Sequence, residues 1–195
     1  MRLLILNIIL LVCTTCLCAD APSTQPVRLP TNTVLHDQND RSVTPLDLRS
    51  GHRAVALIFI STDCPISNGY APLIADLCRT FTPQGLDFYT VYEDSSLTPA
   101  AATAHHDAYA YPCDALLDSQ QQLAHITSAT VTPEAIIVGP GGTLLYHGRI
   151  DDQYVSVGRK RFAATTHELK EALSQIAADE AVTVSSMPAV GCAIP

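Results

Sequence analysis

The chain runs to 195 residues, 47% of them hydrophobic and 15% charged, enough to bury one core and short of what two ordinary domains need. Ordinary Gly and Pro content and the lack of a polar tract exclude a mainly disordered chain. With 11 Lys plus Arg against 19 Asp plus Glu, the formal net charge is −8. No broad basic surface exists to neutralise phosphates, so nucleic acid is excluded as a general partner.

Residues 1–19 place one Arg ahead of an apolar run from Leu3 to Val12, followed by small residues and Cys up to Ala19. This is the pattern of a secretory signal peptide, cleaved after Ala19 or one residue earlier, and the run is too short for a stable bilayer span. An uncleaved anchor and lipidation at Cys13, Cys16 or Cys18 are the competing readings. Cleavage removes Arg2 and three of the seven cysteines, leaving 11 − 1 = 10 basic and 19 acidic residues, a net charge near −9. Cys64, Cys78, Cys113 and Cys192 remain, too few to staple a disulfide scaffold.

In chain order, short extended pieces around Val34 and Val43 flank the turn sequence HDQND. The continuous apolar run Ala54 to Ser61 reads as a strand buried on both faces. Pro65 starts a helix reaching about Thr80, with Ile66, Leu73, Ile74 and Leu77 at helical spacing. Leu86 to Tyr92 is a second buried strand, and Thr98 with Pro99 caps an Ala-rich helix to about Tyr109. Asp118 or Ser119 opens a short helix towards His125. Two strands, Ala135 to Val138 and Thr143 to His147, follow around a Gly-rich turn. Thr165 and Glu168 form a capping-box pattern before Leu169, Leu173 and Ile176. The order β, α, β, α, α, β, β, α, with a tail over 181–195, is that of an α/β fold with a mixed sheet.

The chemistry gathers at STDCPIS, where Cys64 ends a loop after a buried strand and meets the first turn of a helix. Unpaired N–H groups and a partial positive charge there favour thiolate over thiol. Ser67 can donate to the sulfur, whereas the neighbouring Asp63 carboxylate opposes ionisation. A buried structural cysteine is the alternative.

Ser61-Thr62-Asp63-Cys64-Pro65 after a strand, with Thr132-Pro133-Glu134 leading into a Gly-turn hairpin, resembles the thioredoxin-like fold, and within it the redoxin branch that includes the AhpC/TSA peroxiredoxins. The resemblance covers about Leu29 to Ala178, and YHGRIDDQYVSVGRKR and AVGCAIP also resemble exported bacterial redoxin-domain proteins. It implies a mixed central sheet flanked by helices, an N-terminal β-hairpin, a domain over 27–180 and an extended C-terminal tail. It also implies that Cys64 is the nucleophile and that Pro133 is cis, with the Thr132 backbone beside the sulfur. Ser67 stands where a dithiol oxidoreductase carries its second cysteine, so no disulfide can close within that loop. Against peroxiredoxins, Ser61 can replace the expected Thr hydroxyl, Leu57 cannot replace the expected Pro, and Arg149 is the nearest candidate for the site arginine, with a surface pair to Asp151 or Asp152 as its alternative.

Turnover needs a second thiol or an external thiol reductant. Cys78 lies 14 residues along the helix from Cys64, about 21 Å at roughly 1.5 Å per residue, against the roughly 4.4–6.8 Å between disulfide-bonded α-carbons; it is expected to pack in the core beside Ile74. Cys113 reads as structural. Cys192, in a Pro-bounded tail, is the first choice for a resolving thiol, with a Cys113 pair, an intermolecular bridge or a free thiol as alternatives. The expected activity is attack of Cys64 on a disulfide or a peroxide substrate, an antioxidant or thiol-exchange role in the periplasm or outside the cell, with no cofactor.

The competing function is a copper-binding or partner-binding module. Exported Sco-type proteins resemble this chain in fold and hold copper with two cysteines and a histidine. Here Asn68 stands in place of their second cysteine, leaving Cys64, Cys192 and a histidine such as His147 as the candidate ligands. His105 and His106 are expected on a solvated helix face. The basic cluster Gly158-Arg159-Lys160-Arg161 reads as a solvated loop, and no Walker loop or Gly-x-Ser-x-Gly elbow occurs.

Overall fold

A computed structural model of the chain describes residues 26–195; the signal-peptide reading falls on residues outside that range. The elements, in chain order, are β1 Leu35–Asp37, β2 Ser42–Val43, β3 Ala54–Ile60, α1 Pro65–Phe81, β4 Leu86–Tyr92, α2 Pro99–Ala108, β5 Asp114–Leu117 and α3 Gln122–Thr127. They continue with β6 Val131–Thr132, β7 Glu134–Gly139, β8 Thr143–Gly148, β9 Tyr154–Ser156, β10 Arg159–Lys160, α4 Glu168–Ala177, β11 Ser186–Met187 and β12 Cys192–Ala193.

The main sheet has eight strands in the order β11-β8-β7-β3-β4-β5-β1-β2. β3, β4 and β5 run parallel, joined through α1 and α2, while β7 and β8 add antiparallel on one side and β1 and β2 on the other. The expected mixed sheet with an N-terminal hairpin is therefore present.

β3 lies at the centre and all seven of its residues are buried, so its apolar run needs no alternation: both faces are covered. Ala54, Ala56, Ile58 and Ile60 face a cluster with Ile66, Tyr70 and Ile74 of α1 and Leu169 and Leu173 of α4. Val55, Leu57 and Phe59 face the opposite cluster, with Leu29, Leu46 and Leu123 of α3. The alternation is the period of two of a strand, read against two helical layers.

Three local expectations change. Asp114–Leu117 is a strand, although DALL is short and opens on an exposed Asp; parallel pairing to β4, not pattern, makes it one. The capping box of Thr165 and Glu168 does not form: His167 occupies the cap position, and the Thr165 hydroxyl is bound to Asp152. Asp152 presents its carboxylate to Thr165, Thr166 and Arg161, which win Thr165 away from the helix end. Finally, the tail is docked: β11 extends the main sheet beside β8, and β12 pairs with β6.

Candidate active site

Cys64 occupies the N-cap of α1, after the end of β3, with extended backbone angles and Pro65 at the first helical position. Its backbone N–H donates to the Ser61 carbonyl at 3.3 Å, and its own carbonyl accepts from the Asn68 N–H at 3.0 Å, so the loop is closed on both sides of the sulfur. The Asn68 amide donates to the Thr62 carbonyl at 3.0 Å and meets His105 of α2 at 3.0 Å; His105 in turn meets the Tyr92 hydroxyl at 2.8 Å. This chain of contacts fastens the STDCP loop to α1, α2 and the end of β4.

His105 is thus an internal anchor, and the expectation of a solvated face fails for both histidines. Burial holds His105 below the ordinary histidine value, assisted by His106. His106 is itself buried, against Tyr111.

The Thr132–Pro133 peptide is cis, and it sets the Thr132 carbonyl 3.0 Å from the Cys64 sulfur. The following residue holds this segment in place: Glu134 accepts from the Thr130 N–H at 2.7 Å and contacts His147 at 2.9 Å. His147, the histidine proposed for a metal set, is therefore engaged with Glu134. Among the described residues no group of three or more His, Cys, Asp or Glu side chains is arranged to hold a metal ion.

The tail completes the site. Cys192 lies opposite Thr132 and Ala193 opposite Val131 in an antiparallel pair, and the Ile194 N–H donates to the Thr130 carbonyl at 2.9 Å. This register sets Cys192 against Thr132, whose carbonyl faces the Cys64 sulfur, and the two thiols shift each other's acidity. Cys64 is only 1% exposed, whereas Cys192 is partly exposed. The outer sulfur of the pair is the one from the tail.

The two thiols are driven apart in acidity. Burial pushes Cys64 up, but hydrogen bonds from the Cys192 thiol, the Ser67 N–H and hydroxyl, and the Cys192 backbone outweigh it, and Cys64 ends below the ordinary cysteine value. The buried Ser67 hydroxyl makes no hydrogen bond of ordinary geometry, and it lies near enough to the sulfur to lower the thiol's value. Cys192 is pushed up to about 11 by burial and by Cys64, with a further contribution from Glu93. Glu93, just past β4, is 4% exposed with one carboxyl oxygen unpartnered, and burial raises it to about 7.

Of the residues singled out from sequence, the structure brings together Cys64, Cys192, Ser67, Thr132 and Pro133, and Ser61 contributes its backbone carbonyl. Arg149 goes elsewhere. Its guanidinium is held by Glu168 and Thr166, not by Asp151 or Asp152. Glu93 and the Asn68–His105 link carried no signal in the sequence, because both depend on which loops meet at the ends of β3 and β4.

Solved structures share this architecture. A hypothetical protein from Sinorhizobium meliloti superposes with a TM-score of 0.73 at 23% identity, over 88% of this chain and 93% of that one. An uncharacterized conserved protein from Geobacillus kaustophilus gives 0.70 at 18% identity, over 88% and 93%. A secreted Mycobacterium tuberculosis disulfide oxidoreductase homologous to E. coli DsbE gives 0.51 at 13% identity, over 75% and 95%. The fold is thioredoxin-like. No family model and no curated protein matches the chain, and at these identities the thioredoxin-like neighbours establish the fold alone.

Proposed function

We propose that the protein is an exported thiol-disulfide oxidoreductase whose working pair is Cys64 and Cys192. The carrying observation is the tail strand β12, which sets a second thiol against the helix-capping cysteine in place of the second cysteine that Ser67 replaces. The leader-like residues 1–19 support export, and among the described residues no helix is long and apolar enough to cross a membrane.

The Cys64 thiolate attacks one sulfur of a substrate disulfide, forming a mixed disulfide and releasing the other half as a thiolate. Cys192 then loses its proton and attacks the Cys64 sulfur, forming the Cys64–Cys192 disulfide and releasing the second substrate thiolate. Two equivalents of an external thiol restore the dithiol and leave as their disulfide. We assign the Cys192 proton to Glu93, a buried carboxyl at about 7 that is electrostatically coupled to Cys192. Because Cys64 is covered, substrate reaches it when β12 leaves β6.

The test is reduction of a small aromatic disulfide by dithiol-reduced protein, followed by mass mapping. Wild type should end with a Cys64–Cys192 link, Cys192→Ser should stop at a mixed disulfide on Cys64, and Cys64→Ser should be inert. An active Cys64→Ser variant overturns the reading. The same mapping after hydrogen peroxide separates peroxide reduction, which passes through a Cys64 sulfenic acid, from disulfide exchange.

A further inference from the structure

A second pair of thiols lies at the far end of α1. Cys78 sits on the face of α1 turned into the core and is 2% exposed. Cys113 comes just before β5, whose first residue Asp114 lies opposite Tyr89 in β4, so Cys113 flanks Phe88. Phe88, Cys78 and Cys113 belong to one apolar cluster.

Two observations place the sulfurs beside each other. Each thiol shifts the other's acidity, Cys113 lowering Cys78 and Cys78 raising Cys113, as neighbouring thiols do. Thr82 links both to a common place: its hydroxyl is 3.8 Å from the Cys78 sulfur, and it lines, with Cys113, Pro112 and Tyr89, a surface cleft of about 230 Å³. Cys113 is partly exposed at that cleft while Cys78 lies behind it.

We propose that Cys78 and Cys113 form a second redox site, oxidised to a disulfide by a small-molecule disulfide entering this cleft. The Cys113 sulfur displaces one thiolate from the incoming disulfide, giving a mixed disulfide. Cys78 then attacks the Cys113 sulfur and displaces the second thiolate. One disulfide is reduced to two thiols, which carry away the two cysteine protons, and the protein gains one bond. Access sets this order of attack, since Cys113 lines the cleft and Cys78 does not. The acidities serve the second step, where Cys78 is the attacking thiol: Cys113, with help from Thr82 and the Arg79 charge, holds it below the ordinary thiol value despite burial, while contact with Cys78 and burial raise Cys113.

This site is separate from the Cys64 pair. Cys78 is 14 residues further along the same 17-residue helix, about 21 Å at roughly 1.5 Å per residue, so no direct exchange joins the two. The bond would close the segment from α1 to β5 and fasten the C-terminal end of the helix that carries Cys64 at its N-cap.

The experiment uses the full chain with Cys64→Ser and Cys192→Ser, which separates its outcome from that of the proposed function. After incubation with oxidised glutathione, the Cys78 and Cys113 thiols should both disappear and digestion without reductant should yield a Cys78–Cys113 peptide. The melting temperature should rise by roughly 5–10 °C and fall back with reductant. Cys113→Ala in the same background should keep a titratable Cys78 and show no rise. Cys78 and Cys113 both still titratable after oxidation overturn the proposal, as does a stable glutathione adduct on Cys113 beside a reduced Cys78. Should the double variant fail to fold, the same peptide map on wild type decides the question.

Discussion

Gly191 packs against the backbone of Thr132 so closely that a Cβ on it would lie 2.1 Å from the Thr132 carbonyl oxygen. That oxygen also faces the Cys64 sulfur. Since the obstacle is backbone on both sides, neither partner can turn aside, and the close approach of tail to β6 depends on the missing side chain. Gly191→Ala should therefore release β12 while leaving the main sheet intact. Alkylation of Cys64 by iodoacetamide should accelerate at least about tenfold, with the far-ultraviolet circular dichroism of the main sheet retained. Unchanged alkylation would show that β12 does not cover Cys64.

The reduced pair should titrate in two steps, followed by thiolate absorbance at 240 nm. The first midpoint falls below the ordinary value of 9.0 and the second is near 11. Because folding depresses the Cys64 value, its stabilisation is fully present above the unfolded thiol value and is lost as pH falls through the folded one. Ser67→Ala removes a donor to the sulfur and should raise the first midpoint without changing the fold. A single midpoint near 9 would contradict the arrangement.

Glu93 carries the opposite sign. Its folded value, about 7, lies above the ordinary 4.5, so the neutral acid stabilises the fold at low pH and that contribution is lost as pH rises through 7. Glu93→Gln should leave stability at pH 5 nearly unchanged and raise it at pH 9, by at most about 3 kcal/mol. If Glu93 takes the Cys192 proton, the variant should also slow release of the mixed disulfide and remove an inflection near pH 7 from its rate profile. Denaturation at the two pH values and single-turnover release measure the two effects.

Arg149 tests the peroxiredoxin-like expectation. Its partner Glu168 is 5% exposed at the side chain, and Arg149 holds that carboxyl below its ordinary range against the pull of burial. Arg149→Met should cost about 1–3 kcal/mol, discounted for the partly exposed guanidinium, and should leave the Cys64 titration unchanged. A shift in that titration with stability intact would return Arg149 to the site.

The buried strands and the helix-capping cysteine are legible because each is local. AVALIFI can only be a strand covered on both faces, and a Cys-Pro step after it places the sulfur where helix N–H groups are unpaired. β5 is not legible, since its four residues become a strand only by pairing with β4. The capping box misleads because Thr165 matches the motif but Asp152, distant in sequence, offers its hydroxyl a stronger acceptor.

By itself the sequence determined the α/β order, the strand-to-helix boundary at which Cys64 sits, and the absence of a second cysteine in its loop. Only the tertiary structure decided which sulfurs meet: Cys192 comes beside Cys64 through the β12–β6 pairing, and Cys78 comes beside Cys113 because the last turns of α1 pack against the segment before β5. Periodicity encodes which face of an element is buried, but contacts between residues far apart in the chain are set by how those faces pack, and that is where the chemistry of a thiol pair resides.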